Sequence, residues 1–142
     1  MKRGFTLVEL LVTLSLAGLV AAASLPRLVA LRDRMALGAA ARDIMLAHRR
    51  ARVQSVMAGR VTLLTVTADS LVLREVTPID TALVWRAPGP SIHGTTFTGP
   101  RTLMFAPIGI SFGFSNATFT LTRGSATRRV IVSRLGRVRL MP

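Results

Sequence analysis

The chain has no cysteine, no tyrosine, one tryptophan and one lysine in 142 residues. Without cysteine there is no disulfide to staple a small fold and no thiolate for metal or redox chemistry. Stability must then come from an apolar core alone. Acids are scarce as well. There are six, none beyond Asp80, while Arg86, Arg101, Arg123, Arg128, Arg129, Arg134, Arg137 and Arg139 all follow it. The formal net charge is +13. Such a bias suits a polyanionic partner (nucleic acid, anionic lipid or an acidic subunit), although an arginine-rich solvated face would look the same.

Catalysis finds little support. His48 falls in a helical stretch and His93 in a loop, neither with a second ligand at metal spacing, so both are expected to be structural or exposed. No metal site and no cofactor is expected. Ser91-Ile92-His93 has no acid nearby in sequence to orient the imidazole. Asp33, Asp43, Asp69, Glu75 and Asp80 are dispersed among arginines and read as ion-pair partners. No glycine loop suited to phosphate is present, and Asn116-Ala117-Thr118 reads as a turn. The chain is expected not to be an enzyme.

What is present stands at the start. Lys2 and Arg3 precede Gly4-Phe5-Thr6-Leu7-Val8-Glu9-Leu10, which opens an apolar run to Leu25 in which Glu9 is the sole ionisable side chain. A helix rising ~1.5 Å per residue over that run can just cross a ~30 Å hydrocarbon core. A lone carboxylate there costs a few kcal/mol, about 2.5–3.5 on insertion scales, and needs a cation. The nearest source is another copy of the same segment. A cut after Gly4 would make the α-amino group of Phe5 that cation. An ordinary secretory signal cleaved around Ala21-Ala22-Ala23-Ser24 is the competing reading, but its apolar region would be unusually long and would contain an acid. Basic residues flank both ends of the run, so charge asymmetry does not orient it.

The segment Gly4-Phe5-Thr6-Leu7-Val8-Glu9-Leu10-Leu11-Val12 resembles the processing site of type IV prepilins and type II secretion pseudopilins. That resemblance implies cleavage between Gly4 and Phe5 by a prepilin peptidase, methylation of the new terminus, and a role for Glu9 in placing each incoming subunit in a helical filament. It also implies a single-pass protein of the bacterial inner membrane, with the leader cytoplasmic and the remainder periplasmic or extracellular.

Beyond Pro26, which should kink the helix, residues 27–58 are rich in helix formers. Leu28, Leu31, Met35, Leu46, Val53 and Met57 fall on one stripe at 100° per residue, expected to pack on the exported domain, with Arg42 and Arg49 at its edge. Gly59 is a plausible stop. Strands are expected over 61–67, 71–76, 83–85, 102–105, 118–122, 128–133 and 137–140, with a hairpin turn at Ala68-Asp69-Ser70 and a long loop over 88–100. The segments are therefore a leader (1–4), a membrane and filament-core helix (5–25), its amphipathic continuation (26–58) and a β-rich head (59–142). Phe105, Phe112, Phe114, Phe119 and Trp85 read as core rather than base-stacking residues.

One long N-terminal helix on a small antiparallel β head makes an α+β, pilin-like fold. Phe105-Ala106-Pro107-Ile108-Gly109 and Val130-Ile131-Val132-Ser133-Arg134-Leu135-Gly136-Arg137-Val138-Arg139 resemble C-terminal segments of the GspH/FimT branch of minor pseudopilins. The resemblance implies a non-enzymatic subunit of the type II secretion pseudopilus or of a type IV pilus-like filament. The alternative is a FimT-like minor pilin that captures double-stranded DNA for natural transformation. A tight turn at Leu135-Gly136 would set Arg134 opposite Arg137 and Arg139 on the same face, with Val138 and Leu140 toward the core. Opposed like charges are costly unless an anion lies on them, and Arg123, Arg128 and Arg129 could widen that patch.

Overall fold

A computed structural model of the chain describes residues 4–112, 116–133 and 135–141. The chain forms two compact units, one up to Arg32 and one from Asp33 onward. A single helix, α1 (Leu7–Ala58), contributes to both and carries Pro26 within it. It ends on Gly59, which adopts φ +61. Gly59 N–H bonds the Val56 carbonyl and Arg60 N–H the Ser55 carbonyl, both at 3.3 Å, which satisfies carbonyls that the helix end would leave orphaned.

In the second unit, nine strands follow among the described residues: β1 (Thr62–Val66), β2 (Ser70–Val76), β3 (Thr81–Pro88), β4 (Thr96–Thr98), β5 (Thr102–Phe105), β6 (Ser111–Phe112), β7 (Asn116–Arg123), β8 (Ala126–Ser133) and β9 (Val138–Met141). They make a five-stranded sheet ordered β3-β2-β1-β5-β6 and a four-stranded sheet ordered β4-β7-β8-β9. Every pairing is antiparallel. The expected β1–β2 hairpin forms, with Thr67 N–H bonding the Ser70 carbonyl at 2.9 Å.

The expected loop over 88–100 is more ordered than its prolines and glycines suggest. It holds a 3-10 turn (Pro90–His93) and strand β4, in which Phe97 pairs with Leu121 and stacks on Phe119 at 5.9 Å. Asn116-Ala117-Thr118, expected as a turn, instead opens β7, where Ala117 is buried opposite Val132. Alternation of Ala117, Phe119 and Leu121 toward the core overrides the local turn propensity of asparagine.

The helix face differs from the expected one. Leu28, Leu31, Met35, Leu46, Val53 and Met57 are all at least half exposed. Within the second unit, α1 instead buries Leu37, Gly38, Ala40, Ala41, Ile44, Ala47, His48, Ala51 and Ser55. Their spacing of three and four residues is the helical period, but most are small. The volume of the core comes from the strands: Leu64, Val66, Leu71, Leu73, Leu103, Phe105, Phe119, Leu121, Val130 and Val132. Interiors are close-packed, so large strand side chains leave room mainly for small residues opposite them, with Leu37, Ile44 and His48 the larger members of the face. Thr62 Oγ1 donates to the Ala51 carbonyl at 3.1 Å, fixing the start of β1 to the helix. Of the expected core aromatics, Phe105 and Phe119 are fully buried and Trp85 is partly so, whereas Phe112 is exposed and Phe114 lies outside the described residues.

Candidate functional site

The N-terminal segment is built around a helix cap. Gly4, Phe5 and Thr6 precede α1 without regular structure and are exposed. Thr6 Oγ1 accepts the Glu9 N–H at 3.3 Å, and the Thr6 carbonyl accepts the Leu10 N–H at 3.1 Å. Thr-x-x-Glu is the spacing of a capping box, a signal that the sequence reading did not use for Thr6. The helix thus begins two residues after the Gly4–Phe5 bond and leaves that bond outside regular structure. Along the apolar stretch, Thr13, Ser15 and Ser24 turn their hydroxyls back onto the carbonyls of Leu10, Leu11 and Val20, at 2.8 to 2.9 Å. Their polar groups are satisfied within the helix, which suits a medium without water. Glu9 is exposed, and its carboxylate has no ion-pair partner among the described residues. By length and composition, α1 can cross a membrane, and its most apolar stretch is not buried anywhere within the chain.

The C-terminal arginines divide between two faces. Arg123 Nε donates to Asp33 Oδ1 at 2.8 Å, and its Nη1 also meets the His93 carbonyl. Arg128, opposite Leu121, reaches back to the helix, where a Cβ on Gly38 would lie 3.2 Å from its Nη1. Arg129 (opposite Thr120 and Met141) and Arg139 (opposite Ile131) lie on the other face, beside the exposed Arg137. Arg134 lies outside the described residues. The turn closes between Ser133 and Arg137, with Ser133 N–H bonding the Arg137 carbonyl at 2.9 Å. Arg137 therefore stands opposite Ser133, and Arg139 opposite Ile131. Gly136, at φ +78, takes the left-handed position of a longer turn than the two-residue one expected. Val138 does pack on the core, whereas Leu140 remains 41% exposed. Arg137, Arg139, Ile131, Ser133 and Leu135 line an open depression.

The histidines have acquired surroundings that sequence proximity does not show. His93 Nε2 lies 2.7 Å from Asp43 Oδ2, an acid fifty residues earlier on α1. Ser91 Oγ bonds Asp69 instead, at 2.9 Å, so serine and histidine answer to different carboxylates and form no relay. His48 is buried edge-on against Phe105, with ring centroids 5.1 Å apart. Burial, with Arg52 and then Arg49 adding to it, lowers its pKa from 6.5 to about 4. It is a neutral core residue. Among the described residues no group of three potential metal ligands is found.

A capped apolar helix that passes into a head of two antiparallel sheets defines a pilin-like filament subunit. Residues 1–25 match the prokaryotic N-terminal methylation motif, and residues 40–136 match the family of the type II transport protein GspH. The chain belongs to that family, as a minor pilin or pseudopilin. It is 31% identical to the pilin-like protein PilA1 of Thermus thermophilus, over 98% of each chain. The fold is similar to that of the type IV minor pilin FimU of Pseudomonas aeruginosa, with a TM-score of 0.64 and 20% identity, over 77% of this chain and 90% of that one. It is also similar to the minor pseudopilin EpsH of the Vibrio cholerae type 2 secretion system, with a TM-score of 0.59 and 10% identity, over 74% of this chain and 95% of that one.

Proposed function

We propose that the chain is cut between Gly4 and Phe5 by a prepilin peptidase, methylated on Phe5, and built into the type II secretion pseudopilus or a type IV pilus-like filament. Before assembly it is a single-pass protein of the inner membrane, leader in the cytoplasm and head outside. The observation that carries this reading is the exposed Gly4–Phe5 bond, outside regular structure, immediately before a capped apolar helix whose lone carboxylate has no ion-pair partner among the described residues. Within the filament, Glu9 pairs with the Phe5 amino group of a neighbouring copy, which removes the cost of an isolated charge in lipid.

Mass spectrometry of the mature protein tests this directly: an N-methylated Phe5 terminus is expected, and a terminus at Ser24 would overturn it. Glu9→Ala should leave cleavage intact and lower filament yield, and unchanged assembly would show that the pairing is unnecessary.

A second reading has its own support. Arg129, Arg137 and Arg139 are exposed on one side of the four-stranded sheet, and no carboxylate is within ion-pair distance among the described residues. Such a face suits phosphate oxygens, and the head would bind double-stranded DNA without base preference. Affinity should fall steeply with salt, and Arg137→Ala with Arg139→Ala should flatten the log–log slope by about one to two units. Binding that is absent at low ionic strength, or indifferent to salt, removes this reading.

A further inference from the structure

The two ends of the head differ in what their turns carry. Register places Thr62 opposite both Glu75 and Phe105, so the β2–β3 and β5–β6 turns leave from the row where β1 begins, beside the end of α1. The β8–β9 turn comes to the same place. A Cβ on Gly109 would lie 2.9 Å from Val56 and 3.3 Å from Arg52, and one on Gly136 would lie 3.2 Å from the Arg52 guanidinium. Both glycines have positive φ, so only residues without a Cβ let these two turns close onto the same arginine.

Three turns at this end each expose a large aliphatic side chain. Ile79 is 97% exposed in the β2–β3 turn, Ile108 73% in the β5–β6 turn and Leu135 74% in the β8–β9 turn. The last helical turns add Met57 at 79%, with Val53 and Val56 more than half exposed. At the opposite end, the β1–β2 turn carries Ala68 and Asp69 and the β7–β8 turn carries Gly124 and Ser125, while the 3-10 turn beside the first exposes Ile92 at 65%. Turn tips ordinarily take Gly, Pro, Asn, Asp or Ser. Three aliphatic tips at one end and none at these two of the other are not what folding of the head requires. Grouped exposed apolar surface marks an interaction site.

We infer that this end of the head, built from the C-terminal turn of α1 and the tips at Ile79, Ile108 and Leu135, docks a different protein whose apolar face is edged by carboxylates. Charge selects the partner. Arg49 and Arg52 line a second open depression with Val53, Val56 and Met57; Arg60 follows the helix end by two residues, and Arg137 follows Gly136, which closes on Arg52. Of the acids at this end, Glu75 is already 3.9 Å from Arg60, and Asp80 accepts the Thr81 N–H at 2.6 Å. A second copy would bring a formal charge of +13 against the same arginines, and like charge disfavours it. Arg52 is exposed and lies against two glycine turns, and its guanidinium presents a fork suited to a carboxylate. Three aliphatic tips around a guanidinium make an uneven, mixed surface, which a protein face can match and a fluid lipid surface does not need. The inference goes beyond the filament reading, since it holds wherever the chain is cut.

The test is position-specific photocrosslinking of the full-length chain in the cells that make it. A benzoylphenylalanine is placed at 79, 108 or 135, and at 125 as the control from the opposite end. Positions 79, 108 and 135 should yield the same single adduct with another protein, linked through a peptide that carries Asp or Glu, and position 125 should not. Leu135→Asp should lower the adduct formed from position 108 by about tenfold or more, because a carboxylate would be buried against apolar surface and facing acids. Leu135→Asp leaves the head folded if its unfolding midpoint is unchanged, and that midpoint is measured alongside. An adduct of two copies of this chain overturns the choice of partner. Lipid adducts alone, no adduct, or equal yield from 125 overturns the surface. The N-terminus of the same sample is read by mass spectrometry, so an unprocessed chain that still forms the adduct would refute the filament reading and leave this one standing.

Discussion

Replacing His48 with leucine should stabilise the head and remove most of its sensitivity to mild acid. His48 is 1% exposed, and neither ring nitrogen has a hydrogen-bond partner among the described residues. Its pKa falls from 6.5 to about 4 through burial, with Arg52 and Arg49 adding to the effect. A base whose folded pKa is depressed binds protons more readily when unfolded, so acid favours the unfolded chain. At pH 7.5 the imidazole is neutral in both states and contributes almost nothing. As pH falls through 6.5, the unfolded chain takes up a proton that the folded head refuses. By pH 5 this costs about 2 kcal/mol, and below pH 4 it levels off at about 3 kcal/mol, at 1.36 kcal/mol per pKa unit. Urea unfolding read by Trp85, the sole tryptophan and part of the head, isolates the transition from the rest of α1. Every other group is common to the two proteins and cancels in the comparison. The wild type should lose about 2 kcal/mol more than His48→Leu between pH 7.5 and pH 5. Identical losses would show that His48 is solvated or partnered, and would refute the reasoning.

Two further outcomes follow from the packing. Asp33→Ala should destabilise the head by about 1–3 kcal/mol, because the partly buried Arg123 loses its counter-charge at 2.8 Å; the thermal midpoint measures it, and no change would mean that the pair is solvent-screened. Ala47→Leu should cost about 1–3 kcal/mol by overfilling a fully buried contact, whereas Leu46→Ala, on the exposed face one residue away, should change the midpoint little.

The end of α1 at Gly59 and the β1–β2 hairpin were legible because each rests on a local signal, a left-handed glycine in one case and a short polar turn in the other. The buried face of the helix was not. Apolarity along the sequence favours large side chains and points to Leu46, Val53 and Met57, whereas the core takes Ala40, Ala47 and Ala51. What decides is the volume supplied by Phe105, Phe119 and the other strand residues, which helical periodicity does not contain. Strand β4 was hidden because prolines and glycines on either side mask a three-residue pairing. The register at Arg137 was missed because a two-residue turn was assumed where the chain makes a longer one. Asp43 and His93 meet only through the tertiary fold, and nothing in their local sequence joins them.

Because Ala40, Ala41, Ala47 and Ala51, with Leu37 and Ile44, hold the second half of α1 in the head, its bulky outward side chains stand outside the core of their own molecule. Selection can reshape Met35, Leu46 and Val53 to suit whatever lies alongside without reopening the question of how the monomer folds. The same separation gives an engineer freedom to make that outer face hydrophilic, and so to obtain a monodisperse subunit whose interior is untouched.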